Sequence, residues 1–309
     1  MTLSSSALKY IQSIQNAPSL CSLTPTEARR LREKERASVQ DDQVQIDDVT
    51  IVTRDQATIE LRIYTPKKQK DYPAILYIHG GGWVINSIET SHESCLQLAK
   101  KTKSQVISVE YRLAPEFKFP IPLYDCHDAY LWVKMERKRL KHNGHIFVAG
   151  DSAGGNLASA LTQLPKGEEI VGQILLYPVT TLTYDTPSYE QFAFGYGLDK
   201  SVMKWFGNHY ITQDLDRYDP RISLLNAKIE YAPSAFIIVA ENDVLRDEGI
   251  AYAEKLAIVN GQSELLIKGG LVHSYFTKNE FFAEEIEKTI EDIDRYIKAV
   301  LYRPTDKVS

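Results

Sequence analysis

The chain has 309 residues, 43% of them hydrophobic and 25% charged, with a formal net charge of -5 at pH 7. These values match ordinary globular proteins and exclude a disordered, collagen-like or membrane-embedded chain. An acidic balance gives no electrostatic footprint for nucleic acid, whose binding depends on clustered Lys and Arg. Cys21, Cys95 and Cys126 are odd in number and lack C-x-x-C spacing, which fits neither a disulfide framework nor a zinc site. The first twenty residues hold no signal-peptide core, and no apolar run approaches the ~18 residues of a membrane span. The expected location is the cytoplasm.

Residues 1–45 have helical character: Thr24-Pro25-Thr26-Glu27 reads as a cap and first turn, and a charged run follows at 27–36. The β-rich runs at 49–53 and 58–64 read as antiparallel edge strands, closed by a turn at Pro66 and the polar residues 67–71. Residues 73–79 are almost continuously apolar, as a strand covered on both faces would be. From there strands and helices alternate: strand 105–110, helix 123–140, strand 145–149, helix 153–164, strand 170–177. Such a rhythm implies a parallel sheet. It stops at 181–220, an aromatic-rich stretch with one helix-like segment at 200–210, and resumes with strand 235–240, helix 245–259, strand 264–268 and a long helix at 280–301. The expected fold is α/β, a mostly parallel central sheet flanked by helices, with a helical cap. Its parts are an N-terminal helical cap segment (1–45), a catalytic domain (46–180 and 221–309) and a cap insertion (181–220).

Gly150-Asp151-Ser152-Ala153-Gly154 matches G-x-S-x-G between a strand and a helix, the setting of the nucleophile elbow in α/β hydrolases. A bare match arises by chance roughly one time in ten in a chain of this length, and an ordinary helix N-cap would use the same residue types. The loop His79-Gly80-Gly81-Gly82-Trp83 also follows a strand, and its glycines leave backbone N–H groups free to approach a ligand oxygen. A phosphate cradle is the rival reading, but neither phosphate-loop pattern is present.

A serine nucleophile needs a base, and the base needs an anion to fix its tautomer. Downstream of Ser152 the histidines are His209, inside the helix-like segment, and His273, in the loop after the last strand, where this fold delivers its base. His273 is therefore preferred. Asp243 follows the strand ending at Ala240 by three residues, whereas Asp247 lies one helical turn later, where a carboxylate favours a helix N-terminus. Asp243 is the expected acid.

The chain resembles the hormone-sensitive-lipase-like esterases. The likeness rests on the HGGG loop, on Tyr111-Arg-Leu-Ala-Pro-Glu116 with Phe119-Pro120 and Asp125, on the Gly150–Asn156 elbow, and on Ala240–Asp243 running on to Leu245–Gly249. The resemblance implies Ser152, Asp243 and His273 as triad and the N–H groups of Gly81, Gly82 and Ala153 as oxyanion donors. It also implies Val202, Met203 and Phe206 as acyl-pocket residues, packing of their helix onto its own domain being the alternative. Trp83 is counted with them as substrate-binding. Three residues depart from the family pattern: Val244 for Pro, Asn86 for Gly and Ser274 for Gly. The expected substrates are esters with acyl chains of about two to six carbons, closed in by Trp205, Phe206, Phe192 and Phe194. An amidase or arylformamidase could use the same triad, and a receptor that has lost catalysis is the rival from another class. No cofactor, metal or nucleic acid is expected, and a homodimer stays open.

Overall fold

A computed structural model describes residues 2–32, 41–67 and 70–302. The end of the charged run, at 33–36, lies outside the described residues. The elements in chain order are α1 (Ser5–Ile14), α2 (Pro25–Arg32), β1 (Val44–Val52), β2 (Thr58–Pro66), β3 (Ala74–Ile78), α3 (His92–Thr102), β4 (Gln105–Val109), α4 (Ile121–Met135) and α5 (Arg137–Leu140). They continue with β5 (Ile146–Asp151), α6 (Ala153–Leu161), β6 (Gly172–Leu176), α7 (Ser188–Gln191), α8 (Lys200–Tyr210), β7 (Ser234–Asn242), α9 (Arg246–Asn260), β8 (Ser263–Val272) and α10 (Asn279–Leu301).

The eight strands form one sheet in the order β1-β2-β4-β3-β5-β6-β7-β8. β1 and β2 are antiparallel to each other, β2 is antiparallel to β4, and all other pairs are parallel. Strands β3 to β6 are buried along their whole length. That explains the unbroken apolar character of β3, since helices cover both faces. Ala28 of α2, Leu123 of α4, Leu157 of α6 and Leu256 of α9 pack into the core on one face, with α8 above them. Tyr10 of α1, Leu98 of α3 and Ile293 of α10 fill the other. The strand order reverses around β3, which has β4 on one side and β5 on the other. In open α/β sheets ligands bind beyond the carboxyl ends of the strands at such a switch point.

Several features differ from the expected elements, among them α7, which lies in the stretch 181–220 expected to hold one helix. β1 begins at Val44, inside the segment expected to be helical. α3 was not foreseen, because it buries His92, Ser94 and Cys95 beside its leucines and so carries no clean apolar stripe. The helix expected at 123–140 is broken at Glu136. β8 runs on to Val272, four residues past the expected end. Cys21, Cys95 and Cys126 are all free, and among the described residues no helix is long and apolar enough to cross a membrane.

Candidate active site

Sheet register brings the expected residues together. Ile78 pairs with Gly150 and Asp151 with Leu176, so the glycine loop after β3 and the turn after β5 leave the sheet side by side. Asn242 pairs with Val272 beyond an irregularity after Ala240. Asp243 and His273 are the next residues on these neighbouring strands, and they meet.

Ser152 stands between β5 and α6 at φ 56°, ψ -119°, a conformation that costs a non-glycine residue on the order of 1–3 kcal/mol and persists only where its surroundings over-determine it. The close packing is visible at the flanking glycines. A Cβ on Gly154 would lie 2.0 Å from the Ile78 carbonyl oxygen, and one on Gly150 would lie 2.4 Å from the Gly154 backbone. The Ser152 hydroxyl makes no capping bond to the helix it precedes, which sets aside the N-cap reading. Its Oγ lies 2.9 Å from His273 Nε2, while His273 Nδ1 lies 2.7 Å from Asp243 Oδ2. The other Asp243 oxygen accepts from the Leu245 N–H at 3.0 Å. All three residues are buried, and the Tyr177 ring packs edge-on against His273 at 4.8 Å. The geometry provides a hydroxyl, an imidazole that can accept its proton, and a carboxylate that holds the imidazole by the opposite nitrogen.

The two rejected candidates lie elsewhere. Asp247, in the first turn of α9, accepts from the Ser188 N–H at 2.8 Å and pairs with Arg246. His209 is turned back on its own helix, with Nδ1 2.8 Å from the Trp205 carbonyl.

The glycine loop adopts left-handed backbone at Gly81 (φ 114°), Gly82 (φ 58°), Trp83 (φ 62°) and Asn86 (φ 73°). Its carbonyls are tied: Gly81 O accepts from Val84 and Ile85 N–H, Trp83 O from Ala114 N–H, and Gly80 O from His79 Nδ1 and Asn86 Nδ2. Asn86, a departure from the family pattern, thus tolerates the left-handed angle and adds a bond to the loop. Burial pushes the His79 imidazole down to about 4, so the ring stays neutral and donates. Tyr111 stacks on that ring at 4.3 Å and donates to the His79 carbonyl. Asp151 joins loop to elbow, its Oδ1 accepting from Gly80 N–H at 2.9 Å and Tyr77 Oη at 2.8 Å. Burial raises its pKa, against these two bonds, which lower it. Ala153 opens α6, so its N–H has no carbonyl within the helix to meet.

Val202, Met203 and Phe206 are buried on α8. Phe206 lies directly over the loop, since a Cβ on Gly82 would fall 2.1 Å from its ring. Trp83 is fully buried and stacked flat on Tyr210, with centroids 4.3 Å apart, so its ring ties loop to helix. One expectation needs correction. Phe194 is 81% exposed and so closes nothing in, while Phe192 is buried under Arg246. Ser274, the third departure, takes φ 64° without disturbing the contacts of His273. Val244 is buried, its carbonyl accepting from Ser188 Oγ at 2.6 Å.

Sequence reasoning missed Glu248. It is fully buried, with Oε1 accepting from the Thr180 and Thr181 N–H groups, and burial lifts its pKa to about 8, assisted by the nearby Asp243 charge. It was visible only as part of the Leu245–Gly249 likeness, with nothing to mark the carboxyl as buried.

The family described as alpha/beta hydrolase fold matches residues 75–277. A protein of Acanthamoeba polyphaga mimivirus named as an alpha/beta hydrolase is 35% identical over 305 residues, covering 94% of this chain and 86% of its own. The ethyl acetate hydrolase of Pseudomonas putida is 33% identical over 307 residues, covering 93% of this chain and 96% of its own. The crystal structure of a thermostable esterase from Pseudomonas putida superposes with a TM-score of 0.90 at 28% identity, over 98% of this chain and 99% of that one. This chain belongs to the α/β-hydrolase fold family, in the hormone-sensitive-lipase-like branch.

Proposed function

We propose that the protein is a carboxylic ester hydrolase working by two-step acyl transfer through Ser152. The observation that carries this reading is the His273 imidazole, bonded to Ser152 Oγ on one nitrogen and to the Asp243 carboxylate on the other. Ser152 Oγ attacks the ester carbonyl as His273 Nε2 takes its proton, and the oxyanion is received by the N–H groups of Gly81, Gly82 and Ala153. His273 then returns the proton to the departing alcohol. Water, deprotonated by the same nitrogen, releases the acid from the acyl-enzyme. Asp243 holds the tautomer and stabilises the imidazolium. No step requires a cofactor.

The substrate is a small ester. Phe206 over Gly82 leaves little depth above the loop, which favours short acyl chains, and a relative named for ethyl acetate hydrolysis supports the same class. In this reading residues 46–180 and 221–309 are the catalytic body, with 1–45 and 181–220 as its two coverings. A homodimer through the edge of β8 is the assembly we favour.

Turnover of p-nitrophenyl esters from two to twelve carbons, beside matching aryl amides, tests the activity. Ester turnover should peak at short chains, and an organophosphate should label Ser152 alone. Turnover of amides over esters, or normal activity in Ser152→Ala, would overturn the reading.

A further inference from the structure

The glycine loop keeps four left-handed residues, a conformation that persists only where its surroundings hold it, and four of its carbonyls are tied down. The ties on Gly80, Gly81 and Trp83 come from residues 79–114, part of the same body as the sheet. The tie on Val84 comes from Arg29 of α2. Arg29 Nε donates to the Val84 carbonyl at 2.8 Å, and Nη2 donates to the Ala114 carbonyl at 2.7 Å. Ala114 is the residue whose N–H holds the Trp83 carbonyl. The remaining face of the guanidinium meets Glu116, with bonds of 2.9 Å and 2.6 Å. One planar fork thus binds both sides of the Trp83–Ala114 contact and is itself aimed by a carboxylate.

The local sequence sets Arg29 up for this. Thr24 and Glu27 form a reciprocal cap, with Thr24 N–H donating to Glu27 and Glu27 N–H to Thr24 Oγ1, which fixes where α2 starts. Ala28, next to Arg29, is fully buried in the same core cluster as Trp83, Val84 and Ile85. The short helix before α2 (Leu20–Ser22) packs against α8, which carries Phe206.

We propose that Arg29 is a positioning residue for the oxyanion loop, through which the N-terminal helical segment sets the turnover rate. The inference rests on the ester-hydrolase reading above. It requires that loss of Arg29 weaken binding of the transition state more than that of the substrate, because the loop's N–H groups meet developing charge rather than the neutral carbonyl.

The test compares Arg29→Lys and Arg29→Ala with wild type on p-nitrophenyl acetate. It also measures inhibition by a trifluoromethyl ketone, whose adduct with Ser152 carries an oxyanion. Arg29→Ala should lose about tenfold in kcat with KM within about twofold, and its affinity for the ketone should fall in parallel. Arg29→Lys keeps the charge for Glu116 but not the fork, so it should retain most of that loss. Ile293→Val, a core change in α10 far from the loop, serves as the stability control. The proposal is overturned if Arg29→Lys regains wild-type kcat, if ketone affinity is unchanged in both variants, or if Ile293→Val loses as much kcat as they do. Should Arg29→Ala fail to fold, Arg29→Lys alone decides by the same readouts. Absence of ester turnover in wild type would instead count against the ester-hydrolase reading.

Discussion

Asp243 and Asp247 stand four residues apart with the same charge, yet their surroundings assign them different work. Asp243 reaches His273, whereas Asp247 holds the Ser188 N–H and Arg246. Changing the orienting Asp to Asn in a Ser-His-Asp protease costs roughly 10⁴ in kcat through the wrong tautomer. A loss approaching that is expected for Asp243→Asn with normal folding. Asp247→Asn should instead cost about 0.5–2 kcal/mol of stability, the scale of a helix-terminal carboxylate, with kcat nearly kept. A steep kcat loss in Asp247→Asn beside an active Asp243→Asn would reverse the assignment. Glu248 makes a different prediction. Its folded pKa of about 8 lies above the ~4.3 of an unfolded Glu, so between those values the native state holds a proton that the unfolded chain has released. The stability given by the neutral carboxyl is complete below the lower value and lost as pH rises through the upper one. Glu248→Gln keeps an oxygen for the Thr180 and Thr181 amides and never ionises. Its melting midpoint relative to wild type should therefore climb from about pH 5 to pH 9, and a constant difference would show that the carboxyl is already charged. The contrast between these acids is instructive: Asp243 could be picked from chain order, but burial of Glu248 depends on contacts with Thr180 and Thr181, 67 or 68 residues away.

Helix α8 coincides with the segment at 200–210 marked by its pattern, because its buried positions Val202, Met203, Phe206 and Tyr210 repeat at helical spacing. What the pattern could not say was which surface that stripe meets. A helix packing on its own domain and one roofing a ligand site carry the same periodicity, and the contact between Phe206 and Gly82 brings this stripe to the glycine loop. Trp83 is the converse case. An aromatic beside the glycine loop suggests a ligand contact, and the pattern could not foresee that its ring also lies flat on Tyr210. If Phe206 is the roof, Phe206→Ala should cost about 3 kcal/mol of stability from the lost ring. It should also move the preferred p-nitrophenyl ester to longer acyl chains. An unchanged chain-length profile in a folded Phe206→Ala variant would place the acyl pocket elsewhere.

At the scale of the molecule, the parallel sheet was legible because its alternating strands and helices leave a strong imprint, while the assembly of whole chains leaves almost none. β8 ends the sheet, and its outer edge has no neighbouring strand among the described residues. Such an edge invites pairing with another strand unless it is blunted. Here Leu265 is 38% and Ile267 47% exposed, and Ile258 near the end of the adjoining α9 is 87% exposed. Antiparallel pairing of two β8 strands about a two-fold axis at Leu266 would set Glu264 opposite Lys268 and Leu265 opposite Ile267. Opposite charges and apolar side chains facing across strands are each favourable by roughly 0.2–1 kcal/mol, and a two-fold axis applies each pairing twice. Lys268 also bonds Asp292 of α10. The protein should therefore sediment as a dimer at micromolar concentration. Replacing Leu265 and Ile267 together by Lys puts four like charges at the axis and should give a monomer. Ser152 and Asp243 lie on loops beyond other strand ends, so this monomer should keep most of its ester turnover. His273 follows β8 directly, and a modest kcat loss would report how far the dimer steadies that loop. A wild-type protein that sediments as a monomer, or a doubly substituted one that stays dimeric, would remove β8 as the interface.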